Sequence, residues 1–499
     1  MNSDSYGTIC DFLDKAAERI PHKTALIFEN QEYTYGQIGE RSDRLAGFFA
    51  ANADKGEAVA ILLQNSPEFI WSYFGVLKAG TAALLIPPNI SDESLRLELQ
   101  KVKPKYIVSE KRYEEKLRRV SSSGHAPIYI EARELGQKQA AGSERRRQIS
   151  GDDVSTVIFT SGTTGEPKGV KLRHRNAVSA TKNIINILKW NENDIDVNVS
   201  PLSHSFGLGH LHCVFAAGGT TVLFRDAIGL KNILAAIFEK KATTFGAAPA
   251  ILRLMLRDFR PELERCRGLR FVQTNISILE EELVSGILSA LPLADFYYYY
   301  GLTEASRSAF VNFRTAGYKQ GLVGAAVPGA EIKIMDASGG EVLPGVTGEI
   351  CIKGPHVIDS YWDNDEASKS VSGGWLHTGD MGHKNADGFV YFDGRQDDII
   401  NVSGEKVFPY EIEQAAKTVD GVADAAAVGA SDPLLGEAVR LFITEARPVS
   451  DEVIRNALRG KLEGSKLPGE IFRIDSIPRT ENGKIIRHAL KARQTGFYD

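Results

Sequence analysis

The sequence predicts an α/β protein in which mostly parallel sheets are covered by helices, followed by a compact α+β tail. Helical and strand patterns alternate along most of the chain, without a fixed repeat or a low-complexity block. At 499 residues the chain is longer than one hydrophobic core usually serves, so we expect at least two domains. From Gly388 to Glu413 short strands, paired acids and turn residues replace the earlier alternation, and we place a domain boundary in this segment.

The first elements follow from the spacing of apolar residues. Thr34 is positioned to open a helix, and Gly80 is positioned to end one. Because strands and helices alternate, neighbouring strands are expected to pair in parallel. The predicted helices are Phe12–Ile20, Tyr35–Ala50 and Pro67–Ala79, and the predicted strands are Ala25–Phe28 and Ala58–Leu63.

The segment Thr160–Gly169, TSGTTGEPKG, indicates a loop that wraps a polyphosphate. It places four hydroxyls, three glycines and one lysine directly after the apolar run Val157–Phe159. Glycines let backbone amides turn inward, hydroxyls donate hydrogen bonds, and a lysine adds a positive charge. The spacing differs from that of a Walker loop, and Val170–Leu172 is interpreted as a second strand rather than a helix. A plain glycine-rich hairpin turn is the alternative, but such turns rarely combine four hydroxyls with a lysine.

Composition and charge argue against several partners. Hydrophobic residues make up 43% of the chain and charged residues 25%, as in ordinary soluble globular proteins. A net charge of −5 argues against a general binder of nucleic acid or anionic membranes. The basic stretch Gly142–Gly151 has no aromatic neighbours and is interpreted as a solvated surface loop. We therefore expect no nucleic-acid partner.

Localisation is predicted from what the sequence lacks. No apolar run approaches the ~18–20 residues that a membrane helix needs. The N-terminus has no basic region followed by an apolar one, so no signal peptide is apparent. Four scattered cysteines without a C-x-x-C pair fit a reducing compartment. These features predict a cytoplasmic protein without a membrane span.

Four later clusters contain the residue types that nucleotide chemistry needs. Tyr300–Glu304 (YGLTE) offers an aromatic face for a base and a carboxylate that suits Mg²⁺. Trp375–Asp380 (WLHTGD) ends in a carboxylate able to accept both ribose hydroxyls. Gly394–Asp398 (GRQDD) places a cation beside an acidic pair, and Pro478–Lys484 (PRTENGK) presents a lysine after a glycine. Each cluster alone is weak evidence, but their order and spacing favour a nucleotide-using enzyme.

Together with PLSHSFG at Pro201–Gly207, these motifs make the chain resemble the adenylate-forming superfamily. This group includes acyl-CoA synthetases, nonribosomal-peptide adenylation domains and firefly-type luciferases. The resemblance covers essentially the whole chain, and it extends through GGWLHTGD and GRQDDIINVSGEKVFPYEIE. It implies a large N-terminal domain, residues 1–394, built from two α/β sheets and a distorted β-barrel. It also implies a small, mobile α+β C-terminal domain, residues 395–499.

The resemblance implies an AMP-forming ligase that uses ATP and Mg²⁺ in two half-reactions. A carboxylate attacks the α-phosphate of ATP to give acyl-AMP and pyrophosphate, and a thiol then takes the acyl group and releases AMP. We expect CoA as this thiol, with the phosphopantetheine of an acyl carrier protein as the alternative. A luciferase-like oxidoreductase and a non-catalytic binder are further alternatives. The hypothesis of a non-catalytic binder is opposed by the intact set Lys168, Glu304, Asp380, Arg395 and Lys484.

The family motifs imply roles in nucleotide binding for the matching positions. Tyr300 would stack on adenine, while Asp380 and Arg395 would hold the ribose. Thr303 and Glu304 would contact the α-phosphate and Mg²⁺. The residues expected to cradle the β- and γ-phosphates are Thr160, Ser161, Gly162, Thr163, Thr164 and Lys168.

The C-terminal motifs imply three further roles. Lys484 would bridge the attacking carboxylate and the α-phosphate, stabilising the transition state. Asp397 would be the hinge about which the C-terminal domain rotates between half-reactions. Gly404 would line the thiol channel after that rotation.

The acid pocket is expected to accept a short, medium or compact acid. Asn275 and Ile276 stand where relatives usually keep small residues along the acyl tunnel, which argues against long fatty acids. Phe206–Val214 contains no acidic residue, which disfavours an α-amino acid. His204 would sit near the substrate carboxylate, with a backbone-bonded core histidine as the alternative. The complete set of expected pocket residues is His204, Phe206, Asn275, Ile276 and Gly301.

A second histidine cluster, His210, His212 and Cys213, invites a zinc hypothesis. No second pair of ligands follows at the spacing of a structural zinc site. We therefore expect these residues to pack within a strand.

Overall fold

The structure is a computed structural model, and it describes residues 6–121, 125–135, 147–160, 167–275, 279–479 and 485–492. Strands and helices alternate along much of this part of the chain, as predicted. The helices are α1 (Cys10–Arg19), α2 (Tyr35–Asn52), α3 (Pro67–Lys78), α4 (Asp92–Val102), α5 (Glu114–Ser121), α6 (Ala132–Leu135), α7 (His174–Leu188), α8 (Ser205–Ala217), α9 (Leu230–Glu239), α10 (Pro249–Asp258), α11 (Arg260–Glu264), α12 (Glu281–Ala290), α13 (Phe313–Ala316), α14 (Asp365–Ser368), α15 (Pro409–Lys417), α16 (Asp451–Arg459) and α17 (Arg487–Ala492).

The strands fall into three sheets. They are β1 (Thr24–Phe28), β2 (Gln31–Thr34), β3 (Ala58–Leu62), β4 (Ala82–Leu85), β5 (Tyr106–Ser109), β6 (Ile128–Glu131), β7 (Val154–Thr160), β8 (Lys168–Arg173), β9 (Ile195–Asn198), β10 (Thr220–Leu223), β11 (Thr244–Gly246), β12 (Phe271–Thr274), β13 (Asp295–Leu302), β14 (Ala305–Asn312), β15 (Leu322–Ala326), β16 (Glu331–Met335), β17 (Gly348–Lys353), β18 (Val371–Ser372), β19 (Trp375–Lys384), β20 (Val390–Arg395), β21 (Ile400–Val402), β22 (Glu405–Val407), β23 (Val422–Asp432), β24 (Gly436–Glu445) and β25 (Glu470–Arg473).

The first sheet has six strands in the order β6-β5-β3-β4-β7-β8. The first five pair in parallel, and β8 pairs antiparallel with β7. In β3, Val59 and Ile61 belong to one buried cluster, whereas Ala60 and Leu62 belong to another. Successive side chains of a strand point to opposite faces, so a strand covered on both sides is apolar throughout. This explains the unbroken apolar sequence AVAIL.

The second sheet follows the order β16-β17-β19-β20-β15-β14-β13-β12-β11-β9-β10-β1-β2, with β18 paired to β19. The pairs from β13 to β1 are parallel. The pairs on both sides of this section are antiparallel. The antiparallel strands β15, β16, β17, β19 and β20 continue the hydrogen-bonded path of this sheet within the region to which the resemblance assigned a distorted barrel, residues 1–394.

One extensive buried cluster joins the two sheets. It contains side chains from both sheets and from the helices α1, α2, α3 and α8. The rings of Phe74 on α3 and Phe215 on α8 stack 5.6 Å apart at 5°. Burial of such large apolar surfaces contributes most of the favourable free energy of folding. The cluster therefore holds the loops at the ends of both sheets in a fixed arrangement.

Local capping explains where the predicted helices begin. The Thr34 hydroxyl accepts a hydrogen bond from the Gln37 amide, and the Gln37 side chain accepts one from the Thr34 amide, forming a capping box. Ser66 caps α3, and Pro67 occupies its first turn. No helix in the described ranges is long and apolar enough to cross a membrane.

A third sheet forms the C-terminal part of the structure. Strand β20 ends at Arg395, a 3-10 turn spans Gln396–Asp398, and β21 begins at Ile400. The third sheet has the order β22-β21-β24-β23, with β25 paired in parallel to β24. Its strands and the helices α15 and α16 share a buried cluster of their own. This is the expected α+β body, although the boundary between residues 394 and 395 stays a prediction.

Glu98 on α4 is a buried acid outside the predicted site, and it makes stability depend on pH. Its side chain is 4% exposed, and its Oε2 has no hydrogen-bond partner in the described structure. Burial raises the pKa of Glu98 from its usual 4.5 to about 8. Between these values the folded protein binds more protons than the unfolded chain, so stability falls as pH rises.

We expect Glu98→Gln to remove this pH-dependent penalty. The free energy of unfolding should rise by roughly 2–4 kcal/mol at pH 9 and by less than about 1 kcal/mol at pH 5. Urea unfolding at both pH values measures the two differences. Glu93→Gln, an exposed change on the same helix, is the matched control and should show no such pH dependence. An equal gain at pH 5 and pH 9 would contradict the assignment of a neutral Glu98.

Candidate active site

The two ends of the predicted phosphate loop are held by one antiparallel hairpin. Thr160 at the end of β7 pairs with Lys168 at the start of β8. The Lys101 side chain of α4 donates a hydrogen bond to the carbonyl of Pro167 over 3.2 Å. A Cβ on Gly169 would lie 3.1 Å from the Phe159 ring, so a larger residue would crowd this hairpin. Thr160 and Lys168 are thus presented from the same edge of the first sheet.

Tyr361 connects this hairpin to Glu304. Tyr361 forms an antiparallel bridge with Val170 on β8, and the amide of Trp362 donates to the Gly169 carbonyl over 2.7 Å. The Tyr361 hydroxyl donates to Glu304 Oε1 over 2.9 Å. Burial, followed by the neighbouring Glu304 carboxylate, raises the pKa of Tyr361. A neutral hydroxyl therefore fixes the Glu304 carboxylate beside the hairpin.

Thr303 and Glu304 form the tight turn between β13 and β14. Leu302 and Ala305 pair across this turn, and the amide of Ile358 donates to the Glu304 carbonyl over 3.0 Å. Both turn residues are buried. A carboxylate oxygen is the ligand type that Mg²⁺ prefers, so Glu304 fits the metal expected here.

Tyr300, Asp380 and Arg395 form one connected group. The Tyr300 hydroxyl donates to Asp380 Oδ2 over 2.6 Å, and Arg395 Nη1 donates to Asp380 Oδ1. Asp380 and Arg395 are paired across β19 and β20, which brings the two charges together. Arg395 Nη1 also donates to the Thr378 carbonyl over 3.0 Å, while the Thr378 hydroxyl accepts from the Asp380 amide. The structure therefore brings together the three residues expected at adenine and ribose.

Electrostatics keeps Tyr300 neutral and Arg395 charged. Burial raises the pKa of Tyr300 well above its ordinary value, and the Asp380 carboxylate adds to the effect. Burial alone would lower the pKa of Arg395, but the Asp380 carboxylate raises it on balance. A neutral phenol and a charged guanidinium thus both bind Asp380.

The described residues of the expected pocket come from the start of α8, the segment after β12 and the end of β13. His204 occupies the N-cap position of α8, and Phe206 lies in the first turn of this helix. Asn275 follows β12, and its Oδ1 has no hydrogen-bond partner in the described residues. A Cβ on Gly301 would lie 2.3 Å from the Arg307 amide, so only glycine fits this strand end.

The second histidine cluster lies on α8, so the prediction of a strand for it was wrong. His210 contacts Asp196 through Nδ1 at 3.2 Å, whereas His212 Nε2 lies 3.1 Å from the Tyr73 hydroxyl. Every residue from Phe206 to Ala217 is buried. When a whole segment is apolar and buried, periodicity does not distinguish a helix from a strand. The two histidines have separate partners rather than a shared ligand position.

Asp397 and Gly404 lie beyond the nucleotide group. Asp397 is exposed within the 3-10 turn that follows Arg395. Gly404 is in the turn between β21 and β22 with φ of +86°, a conformation that favours glycine. The neighbouring Ser403 amide donates to the Leu435 carbonyl, so this turn is held by the C-terminal sheet. The expected site residues outside the described ranges are Ser161, Gly162, Thr163, Thr164, Ile276 and Lys484.

Sequence reasoning missed Thr378, Tyr361 and Arg307. Thr378 lies inside WLHTGD, and its place beside Asp380 could have identified it. Arg307 lies in β14, whose sequence ASRSAFVN has as many polar as apolar residues, so no local pattern distinguished it. No local signal in the sequence could have identified Tyr361, because it reaches Glu304 through a bridge between residues far apart in the sequence.

Tyr361→Phe is expected to weaken the metal site without unfolding the protein. The change removes the hydroxyl that orients Glu304, so the Mg²⁺ concentration for half-maximal activity should rise roughly 10-fold. A Mg²⁺ titration of ATP–pyrophosphate exchange measures this shift. Tyr129→Phe removes a comparable hydrogen bond, from Tyr129 to Glu131 at 2.6 Å on β6, and serves as control. Identical Mg²⁺ curves for Tyr361→Phe and the parent would refute a positioning role.

Comparison with known families gives two matches along the chain. A family described as AMP-binding enzyme matches residues 13–362. A second, described as AMP-binding enzyme C-terminal domain, matches residues 411–484. The two matches fall on the N-terminal sheets and on the C-terminal sheet, respectively.

Named relatives match over nearly the full length. Indoleacetate–CoA ligase of Aromatoleum aromaticum is 29% identical over 495 residues, which cover 96% of both chains. Fatty acid–[acyl-carrier-protein] ligase ScoC of Streptomyces coeruleorubidus is 30% identical over 500 residues, 96% of this chain and 95% of its own. The crystal structure of o-succinylbenzoate CoA synthetase from Bacillus subtilis with its acyl-adenylate matches with a TM-score of 0.88 and 27% identity, covering 96% of this chain and 98% of that one.

Proposed function

The chain belongs to the AMP-binding enzyme family, and from that premise we propose that it joins a carboxylic acid to CoA at the expense of ATP. It is an AMP-forming acid–thiol ligase, in which an acyl-AMP precedes the thioester. The observation that carries this proposal is the connection from the phosphate-loop hairpin through Tyr361 to Glu304. Glu304 lies in the turn that follows the strand containing Tyr300, and the Tyr300 hydroxyl binds Asp380.

The arrangement suits attack of one anion on another. A carboxylate is a poor nucleophile and phosphate charge repels it, so the site must align the two groups and neutralise charge. We assign Thr160 and Lys168 to the β- and γ-phosphates, and Thr303 to the α-phosphate. Glu304 would hold Mg²⁺, which supplies positive charge to the phosphate oxygens when bound.

The nucleoside is assigned to the second group of residues. Asp380 would accept hydrogen bonds from the ribose hydroxyls while Arg395 stabilises its charge. The face of Tyr300 would contact adenine, since its hydroxyl is already committed to Asp380.

The acid itself is proposed to be short, medium or compact. Asn275 is half-buried directly after β12, at the position where relatives usually keep small residues along the acyl tunnel. His204 at the start of α8 is assigned to the carboxylate side of this pocket. An acyl carrier protein is the second candidate acceptor, favoured by the likeness to the carrier-protein ligase of Streptomyces.

We further propose that the enzyme works in the cytoplasm. All four cysteines are buried and unpaired, as in proteins of a reducing compartment.

Large domain rotation between half-reactions is also part of the proposal, with residues 1–394 and 395–499 as the two bodies.

A carboxylate-dependent ATP–pyrophosphate exchange panel tests the proposed function. Compact aromatic acids and aliphatic acids from two to twelve carbons are supplied first without and then with CoA. We expect exchange without CoA for at least one acid, and AMP release with thioester formation when CoA is added. Exchange that never leads to a CoA thioester, but does acylate a phosphopantetheine carrier, would favour the second acceptor. Absence of acid-dependent exchange throughout would refute the ligase.

A further inference from the structure

Arg307 is a buried cation in the middle of strand β14, three residues after Glu304. Its side chain is 2% exposed. Its φ of +57° lies in the left-handed region, which is uncommon for a residue with a Cβ and has an energetic cost. The fold therefore holds this side chain in place against both burial and backbone preference.

The Arg307 guanidinium has several contacts, but none of them is with a carboxylate of the residues that the structure describes. Nη2 donates to the Phe206 carbonyl over 3.1 Å, and Nη1 donates to the Ser306 hydroxyl over 3.0 Å. The guanidinium lies 4.7 Å from the centre of the Tyr299 ring. Its Nε has no hydrogen-bond partner, and no carboxylate in the described part of the chain forms an ion pair with it. This cation is thus only partly satisfied by the protein.

Two other buried charged residues of this protein, Lys78 and Asp196, have polar or charged partners within the protein. Buried Lys78 pairs with both Asp14 and Asp43, at 2.5 and 2.9 Å. The buried carboxylate of Asp196 is bound by His210 and by the Thr244 hydroxyl. A buried charge without a partner is strongly destabilising, so its presence indicates a partner that arrives with a ligand.

The surroundings of Arg307 identify where that ligand would lie. Its guanidinium touches Phe206 and Tyr299. A Cβ on Gly209 of α8 would lie 2.3 Å from Nη1, so glycine there makes room for the guanidinium. Phe206 is one of the residues assigned to the acid pocket, so the guanidinium borders that pocket.

We propose that the acid activated by this enzyme carries a second negative group, most simply a second carboxylate, which pairs with Arg307. This inference rests on the proposed function, because it places the far end of the same acid in the same pocket. A compact dicarboxylate would leave one carboxylate for ATP and supply Arg307 with its missing counter-ion. Bidentate pairing with a carboxylate suits the planar donors of arginine.

Matched pairs of acids test the proposal by ATP–pyrophosphate exchange. The pairs are butanoate and succinate, pentanoate and glutarate, hexanoate and adipate, and benzoate and terephthalate. We expect the parent enzyme to have a higher kcat/KM for a diacid than for its partner. Arg307→Met should lower kcat/KM for diacids by on the order of 30–1,000-fold, mainly through KM, and change monoacids by less than about threefold. Arg307→Lys should retain part of the preference.

Controls separate this inference from the proposed function. Arg257→Met removes an exposed arginine paired with Asp258 and should alter neither class of acid. Calorimetric binding of the same diacids to the parent and to Arg307→Met gives a readout independent of catalysis, and thermal unfolding checks that the variants fold. Diacid binding that needs Arg307, without exchange by any acid, would refute the ligase and keep the anion site. Equal loss of mono- and diacid activity, or diacid binding unchanged by Arg307→Met, would overturn the inference.

Discussion

Lys484→Ala is expected to lower acid-dependent ATP–pyrophosphate exchange by roughly 10²–10³-fold or more. Loss of one charged contact to a developing transition state has effects of this size. Transfer of a preformed acyl-AMP to CoA should survive, because the C-terminal domain is proposed to rotate Lys484 away for that step. Exchange and single-turnover thioester formation from synthetic acyl-AMP measure the two half-reactions separately.

The residues on either side of Lys484 tie it to the C-terminal body. Lys484 itself lies outside the described residues. Arg479 and Ile485 form an antiparallel bridge, and Arg479 pairs with Asp424 at 2.7 Å. Half-buried Arg487 pairs with Glu413 at 2.5 Å. A movement of this body would therefore carry Lys484 with it.

The control for this prediction is Lys491→Ala, which removes an exposed lysine on the neighbouring helix α17. Both half-reactions should then stay near the parent values. Equal loss of exchange and of thioester formation in Lys484→Ala would contradict the two-orientation account.

Asp397→Pro is expected to block thioester formation far more than pyrophosphate exchange. Proline fixes φ and restricts the preceding residue, so a hinge at this position could not change its backbone conformation. We expect at least a roughly 10-fold larger loss in the second half-reaction than in the first. The same two single-step assays measure the ratio.

The structure leaves little chain between two fixed points at this hinge. Arg395 is held by Asp380 of the N-terminal part, and Asp398 is held at 3.1 Å by Arg487 of the C-terminal part. Gln396 and Asp397 between them are exposed. Because the side chains of Gln396 and Asp397 are exposed, rotation about these two residues would not remove either side chain from a buried environment.

Asp397→Ala keeps the backbone free and is the matched control. It should retain both half-reactions to within about twofold, which is a small change on the scale of activation free energies. If Asp397→Pro also stays within that range for both steps, Asp397 is a solvated turn acid and the hinge lies elsewhere.

Much of the fold could be predicted because its signals are local. The capping box at Thr34 and the apolar run of β3 are contained in a few adjacent residues. The strand after the phosphate loop was also predicted, from Val170–Leu172, although its antiparallel pairing with β7 was not. The predicted group Tyr300, Asp380 and Arg395 came from short motifs, and the structure brings these residues into contact.

The features of the fold and of the site that could not be predicted depend on contacts between segments far apart in the sequence. Tyr361 reaches Glu304 only because Tyr361 pairs with Val170, and no local pattern encodes that bridge. The strand predicted around His210 failed because α8 is apolar on every side, which hides its helical period. The isolation of Arg307 became visible only when its neighbours were known.

Transfer of oxygen from the acid to AMP tests the central claim most directly. An accepted acid labelled with ¹⁸O in its carboxylate is converted with ATP and CoA, and the products are analysed by mass spectrometry. Attack of the carboxylate on the α-phosphate, followed by attack of the thiol on the acyl carbon, leaves one carboxylate oxygen on AMP. The account predicts one ¹⁸O in AMP and none in pyrophosphate. Unlabelled AMP, or ADP with label in inorganic phosphate, would contradict it.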